Sequence, residues 1–357
     1  MRLDAENIEA FALGCAVLSA GGGGDTAIGL AMARHAIGCH GPVEIVAAAD
    51  LAPDALVMPC GLIGSPTVAQ ERIWSGGEGG RLASAVARLH GAPVDVLMCY
   101  EIAGANGLLP VLWAARLGTP LLDADGMGRA FPEMQQQAMH VAGVAASPVV
   151  LNDGRDNDIV LHCADNLAAE RLARSCTAAL GGTCAGALYV MSARVARSAA
   201  IPGSVSRAVA VGRAMHLRRS GWPAALADET GGRVLIEGRI VEVERSGGAG
   251  FARGHAVVDG TDAQGLRRLR LELQNEVLVA LEDGQVVATV PDVIAVLGLV
   301  DGLPVGTERL QYGQRVGVVA LPAPEVWRSA AGLAVVGPRS FGYDLDYAGP
   351  GVTRAGT

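Results

Sequence analysis

VDVLMCYEIAGANGLLPVLWAARLGTPLLDADGMGRAFPE, residues Val94 to Glu133, reads as a strand, a helix and a second strand with acids at both strand ends. Val94 to Tyr100 is a short apolar run bounded by Pro93 and Glu101. Leu108 to Leu117 has helical spacing closed by Gly118, and Pro120 to Leu122 is apolar again. That order is the β-α-β unit of a parallel sheet, in which ligands collect outside the carboxyl ends of the strands. Glu101, Asn106, Asp123 and Asp125 all fall at those ends.

Upstream of this unit, Ile8 to Leu18 is helical and runs into SAGGGGDT, with four glycines at 21 to 24, before Asp25 and a helix from Ala27 to His35. Val43 to Ala47 and Ala55 to Met58 read as strands, Gly64 to Gly80 as a surface loop, and Arg81 to Leu89 as a helix. Downstream, a helix begins at Glu133 and strands follow at Pro148 to Leu151 and Asp158 to His162. The alternation predicts a Rossmann-like α/β N-terminal domain over residues 1–165, doubly wound on a mostly parallel sheet. Residues 166–350 are expected to form a C-terminal domain. Its helical segment, 166–230, holds helices at Asn166–Leu180, Leu188–Ser198 and Ser204–Arg218. Its all-β segment, 231–345, shows the period-two alternation of an antiparallel sandwich or barrel-like unit. Glu282-Asp283-Gly284 is the clearest hairpin signal there, and the residues after Asp346 read as a loose tail.

With 357 residues, half of them hydrophobic and 18% charged, the chain can bury ample core for two domains, which excludes disorder. A net charge of -8 without any basic run argues against nucleic acid or an anionic membrane as partner and leaves a small molecule. The chain has no lysine. A phosphate-binding loop lysine, a pyridoxal Schiff base and a lysine enamine are thereby excluded. No apolar run reaches the roughly 18 residues of a membrane span. Phe11 to Ala20 follows the acidic Asp4, Glu6 and Glu9, so it is expected to be a buried helix rather than a signal core. Seven cysteines, scattered and without C-x-x-C spacing, suit a reducing compartment, and the expected location is the cytoplasm. The apolar composition is compatible with a homo-oligomer.

Gly22, Gly23 and Gly24 remove side chains from a tight connection, so backbone amides could meet an anion at the positive end of the next helix. The alternative is a loop that needs positive φ for close packing. The run follows a helix and fits no register of G-x-G-x-x-G, so it is not a dinucleotide fingerprint. Glu101, Asp123 and Asp125 are candidate acid and base groups, because neighbouring carboxyls are driven to different pKa values. Against this, Asp125-Gly126 could be an ordinary turn with Asp123 capping it. Asn106 could donate an amide hydrogen bond to a ligand. Arg129 could grip a substrate carboxylate or pair with one of the acids. Asn275 and Glu276 interrupt an apolar strand, either as a second half of the site or as a polar network pinning two strands. Cys39-His40 and His162-Cys163 match no ligand spacing, and neighbours on a strand point to opposite faces. No metal site is assigned, although a divalent ion such as magnesium on the central acids stays open. Cys184, in GGTCAG, is either a nucleophile at a turn before a helix or a small buried thiol.

The runs LGCAVLSAGGGGD (13–25), EIAGAN (101–106), LLDADGMGRAFPE (121–133), GFARG (250–254), QNEVLVALEDGQVVATVPDVI (274–294) and VVGPRSFGYD (335–344) resemble, in order and over nearly the whole chain, the S-methyl thiohydantoin desulfurase family. The resemblance implies a bacterial enzyme acting on hydantoin-type rings, related by context to hydantoinase and oxoprolinase pathways. It brings no catalytic assignment with it. On this basis the chain is expected to be a hydrolase that adds water to an S-methyl thiohydantoin and releases methanethiol. Glu101, Asp123 and Asp125 are the expected catalytic residues. Gly22, Gly23, Gly24, Asn106, Arg129, Asn275 and Glu276 are the expected substrate contacts. The alternative is a noncatalytic ligand-binding subunit or sensor that partners a hydantoinase or oxoprolinase.

Overall fold

A computed structural model describes residues 1–72, 74–217, 221–246, 253–262 and 265–349. The chain divides into two units: Met1–Cys15 with Gly23–Val209, and Ala16–Gly22 with the residues from Ala210 onward. Within the resemblance motif GFARG, Gly250 to Ala252 lie outside the described residues.

Residues 1–217 form, in chain order, β1 (Arg2–Leu3), α1 (Ile8–Leu18), α2 (Thr26–His40), β2 (Val43–Val46), β3 (Leu56–Gly64), α3 (Pro66–Glu71), α4 (Glu78–His90) and β4 (Val96–Cys99). There follow α5 (Gly104–Leu117), β5 (Leu121–Asp125), α6 (Ala138–Val141), β6 (Val149–Asn152), β7 (Asp158–Leu161), α7 (Asn166–Ala179), β8 (Thr183–Ala187), β9 (Met191–Ser192), α8 (Ala193–Ala199), β10 (Ile201–Pro202) and α9 (Ser204–Leu217). The strands form one sheet in the order β1-β2-β5-β4-β3-β8-β6-β7, with β10 beside β5 and β9 beside β3.

The four strands β2, β5, β4 and β3 run parallel, as the β-α-β reading of Val94 to Glu133 requires. Every other pairing in the sheet is antiparallel. The sheet is therefore mixed, which corrects the expectation of a mostly parallel one. The cause is β8. Its sequence, TCAGA, is five small residues, all buried, and it inserts antiparallel between β3 and β6.

Helix α5 is buried on nearly all sides from Gly104 to Ala115, and Gly118 ends it in the left-handed conformation at φ 65°. Asp25 caps α2 by accepting from the Ala27 N–H at 2.8 Å. The stretch from Glu133 does not form the expected helix. Residues 126–137 are an irregular loop, and only α6 is helical.

The second unit holds α10 (Trp222–Thr230), then β11 (Arg233–Ser246), β12 (Arg253–Asp262), β13 (Gly265–Leu273), β14 (Val277–Glu282), β15 (Gln285–Thr289), β16 (Val293–Gly298) and β17 (Arg315–Leu321), followed by α11 (Glu325–Arg328) and α12 (Ala330–Val336). These strands make a curled antiparallel half-barrel in the order β15-β14-β13-β12-β11-β17-β16. Its concave side is filled by the alternate residues Ala256 and Val258 of β12 and Leu269, Leu271 and Leu273 of β13, with Val316, Val318 and Ala320 of β17. Asp283 and Gly284 join β14 to β15 with φ of 49° and 81°, the positive pair that a two-residue hairpin turn needs. The residues just past Asp346 are held rather than loose. The Tyr347 hydroxyl donates to Asp292 Oδ1 at 2.9 Å, and the Ala348 N–H donates to Thr289 Oγ1 at 3.0 Å.

No helix among the described residues is long and apolar enough to cross a membrane.

Candidate active site

At the carboxyl edge of the parallel strands, β4 ends sooner than β3. The ladder between them closes at Cys60 and Cys99, and the Tyr100 N–H makes one more bond to the Cys60 carbonyl at 3.0 Å. Beyond that point β3 continues while the chain after β4 turns into α5. The exposed rung on β3 belongs to Leu62. Asn106, in the first turn of α5, fills it: its Oδ1 accepts from the Leu62 N–H at 2.6 Å and its Nδ2 donates to the Leu62 carbonyl at 3.1 Å. A carboxamide carries one donor side and one acceptor side, like a peptide, so it can replace the missing strand residue. The second N–H on Nδ2 goes to Glu101 Oε1 at 2.6 Å.

Glu101 is thus a buried carboxylate, 6% exposed, held at the start of α5 where backbone dipoles favour negative charge. Asn106 spends its polar atoms on Leu62 and Glu101, which makes it a residue that orients Glu101.

Asp125, the last residue of β5, is fully buried. Its Oδ2 accepts three backbone N–H groups, from Ile102 at 2.9 Å, Met127 at 3.0 Å and Gly128 at 2.7 Å, while its Oδ1 lies 2.5 Å from Ser204 Oγ. Burial pushes its pKa up from the ordinary carboxylate range, against the hydrogen bonds from Ser204 and the three amides. The side chain ties the turn after β4 to the loop after β5. Asp123 points elsewhere, accepting from the Ser206 N–H at 3.0 Å and the Ser206 hydroxyl at 2.6 Å in the first turn of α9.

The loop 126–137 is mostly buried, which is unusual for irregular chain because each peptide group then needs a partner. Several partners come from outside it. Glu170 Oε2 accepts the Met134 N–H at 2.9 Å, the Tyr189 hydroxyl donates to the Met134 carbonyl at 3.2 Å, and Arg174 donates to the Pro132 carbonyl at 2.9 Å. Arg129 is buried in this loop, its Nε on the Ala130 carbonyl at 3.0 Å and its guanidinium 5.1 Å from the centre of the Phe131 ring. Gln137, fully buried, donates to the Tyr100 carbonyl at 3.3 Å.

The glycine run divides between the units. Gly23 and Gly24 belong to the first, with φ of 70° and 78°. The Gly23 carbonyl accepts from the Ala105 N–H at 3.1 Å, one residue before Asn106, so this half of the run lies against the turn that carries the site. A side chain on Gly104 would strike the Gly23 carbonyl. In the second unit, the Gly21 carbonyl accepts from the Thr307 N–H at 3.0 Å, and Glu276 occupies the space a Gly22 side chain would need. Asn275 contributes its carbonyl to the Thr307 hydroxyl at 2.7 Å. Asn275 and Glu276 therefore pack with Gly21, Gly22 and Thr307 inside that unit.

Cys184 sits within β8, not at a turn before a helix. Burial pushes its thiol up to about 11, and Thr177 Oγ1 lies 3.3 Å away, the setting of an inert thiol. Cys39 has His35 rather than a second cysteine-histidine pair as its neighbour, at 3.6 Å. Among the described residues, Glu242, Glu244 and His255 are the group of three that lie close enough to share an ion, and they sit on β11 and β12 of the second unit. Gln137, Ser204 and the Leu62 peptide group were not singled out by sequence reasoning. Ser204 stood out there only as the first residue of an expected helix, and its role toward Asp125 was not visible.

Family models for the S-Me-THD-like N-terminal domain and the S-Me-THD-like C-terminal domain match residues 6–163 and 164–349. The chain belongs to the S-Me-THD-like family. A crystal structure of a protein from Chromobacterium violaceum shares the fold, with a TM-score of 0.80 at 23% identity over 98% of this chain and 99% of that one. No curated protein matches the chain.

Proposed function

We propose that this S-Me-THD-like protein is a hydrolase acting on a small hydantoin-like ring, and that it removes sulfur from an S-methyl thiohydantoin. Water adds to the ring carbon that lies between two nitrogens and bears the S-methyl group. A carbon–oxygen bond forms, the carbon–sulfur bond breaks, and methanethiol leaves a hydantoin carbonyl behind. Thiolates depart readily, so the demanding step is the addition of water, which calls for a fixed base.

The observation that carries this reading is Glu101, a buried carboxylate whose one oxygen is fixed by Asn106 at 2.6 Å. In the proposed reaction Glu101 takes a proton from the attacking water and returns it to the departing sulfur. The amino end of α5 stabilises charge that grows on the ring during addition. Asp125 and Asp123, each engaged by several donors, hold the surrounding turns. The parallel β2-β5-β4-β3 core with its helices supports a Rossmann-like description of this unit, with the ligand at the carboxyl edge.

Purified protein is mixed with an S-methyl thiohydantoin and methanethiol release is followed, alongside the E101Q variant. The expected result is turnover by the native chain and a loss of at least about 10²-fold in E101Q, the usual scale for a general base. Saturable ring binding without methanethiol would instead support the noncatalytic ligand-binding reading.

A further inference from the structure

The hydrogen atoms around Asp125 can be counted. Ser204 Oγ lies 2.5 Å from Asp125 Oδ1 and 2.9 Å from the Ile201 carbonyl oxygen. A serine hydroxyl has one hydrogen, and a peptide carbonyl can only accept. With Asp125 ionised, Oδ1 can also only accept, so the one hydroxyl hydrogen would have to be shared between two acceptors. With a proton on Oδ1 both contacts are filled: Oδ1–H donates to Ser204 Oγ, and the Ser204 hydroxyl donates to Ile201. Oδ2 then remains the carbonyl oxygen of the acid and keeps its three amide donors from Ile102, Met127 and Gly128.

The surroundings favour the same state. Among the described residues, Asp125 acts on the thiols of Cys15 in α1 and Cys99 in β4; Asp123 lies two residues back on its own strand, Glu101 one residue before the Ile102 that donates to it, and the buried Arg129 four residues on in the following loop. The two thiols and the neighbouring acids disfavour negative charge on Asp125, and none of the hydrogen bonds described for its carboxyl comes from a cationic side chain. Burial raises its pKa in agreement.

We propose that Asp125 is a neutral carboxylic acid in the folded protein, its Oδ1–H donating to Ser204 while the Ser204 hydroxyl donates to the Ile201 carbonyl, and that it is a positioning residue for Glu101. The site proposed above then has Glu101 as its candidate base beside an uncharged Asp125. Neutral Asp125 fixes the Ile102 amide on one side and the Met127 and Gly128 amides on the other, so the turn bearing Glu101 is set without competition for its charge. This inference concerns the same site as the proposed hydrolysis, but its tests read protonation and stability, so it can fail or stand whatever the turnover assay finds.

Asparagine copies the neutral acid: its amide nitrogen can donate to Ser204 and its oxygen can accept the three N–H groups. At neutral pH D125N is expected to melt no lower than the native chain, because only the native chain must take up a proton at residue 125 when it folds. The infrared spectrum of protein carrying isotope-labelled aspartate is expected to show a carboxylic-acid C=O band at neutral pH that D125N lacks. In S204A that band should move to higher frequency, because the proton loses its acceptor. A native protein whose labelled aspartates show carboxylate bands alone would overturn the proposal, and so would a D125N melting point lower by more than about 8 °C.

Discussion

Asn106 Nδ2 donates to Glu101 at 2.6 Å and to the Leu62 carbonyl at 3.1 Å, so one nitrogen both completes the β3 ladder and orients the candidate base. Asn106→Asp keeps the acceptor for the Leu62 N–H but turns the donor into a second carboxyl facing Glu101. The variant is expected to lose about 1–3 kcal/mol of stability, the cost of a buried group left unpaired. The acid limb of its pH–rate profile should move upward, because two carboxyls this close share a proton. Denaturant unfolding reads the first effect and kcat/KM against pH the second.

Gly22 leaves the space that Glu276 fills. Gly22→Ala is expected to cost on the order of 1–3 kcal/mol, as overpacking does in a well-filled interior. In an E276A background the same substitution should cost clearly less. A double-mutant cycle by urea unfolding measures the difference, and equal costs in both backgrounds would sink the packing account.

The raised pKa of Asp125 sets a sign for the pH dependence of stability. A carboxyl held above its unfolded value favours folding fully at pH below that unfolded value, and the contribution fades as pH rises through the folded value. The stability of the native chain minus that of D125N should therefore fall with rising pH across this window. Unfolding free energies at several pH values test it, and a difference that grows with pH would mean Asp125 ionises on folding.

Thiol reactivity should follow exposure and environment. Cys39 is exposed, whereas Cys15, Cys60, Cys99 and Cys184 are buried, with thiols that burial pushes up. Brief alkylation of the folded protein is expected to label Cys39 first and to leave those four unmodified until denaturant is added. Peptide mass spectrometry gives the order.

The β-α-β unit was legible because two short apolar runs, one starting after Pro93 and one at Pro120, flank a helically spaced segment closed by Gly118. The helix nevertheless begins at Gly104 rather than Leu108, since burial of α5 overrides the poor propensity of Gly104, Gly107 and Pro110. Strand β8 was illegible: Thr183 to Ala187 has neither bulky β-branched residues nor alternation, because both its faces are covered. The acids at the strand ends could be picked out by position alone. Their division of labour could not, because the donors to Asp125 are mostly backbone amides, which every residue possesses, and the partner of Asn106 is the peptide group of Leu62.

The margins of the ten-stranded sheet are β1, two residues long, and β7, four residues long, whose Asp158 pairs with Arg81 at 3.4 Å. An incoming strand from another molecule would find almost no unpaired backbone at the first and a charged pair at the second. The apolar interior strands, which would aggregate if laid bare, are thus shielded from edge-to-edge templating.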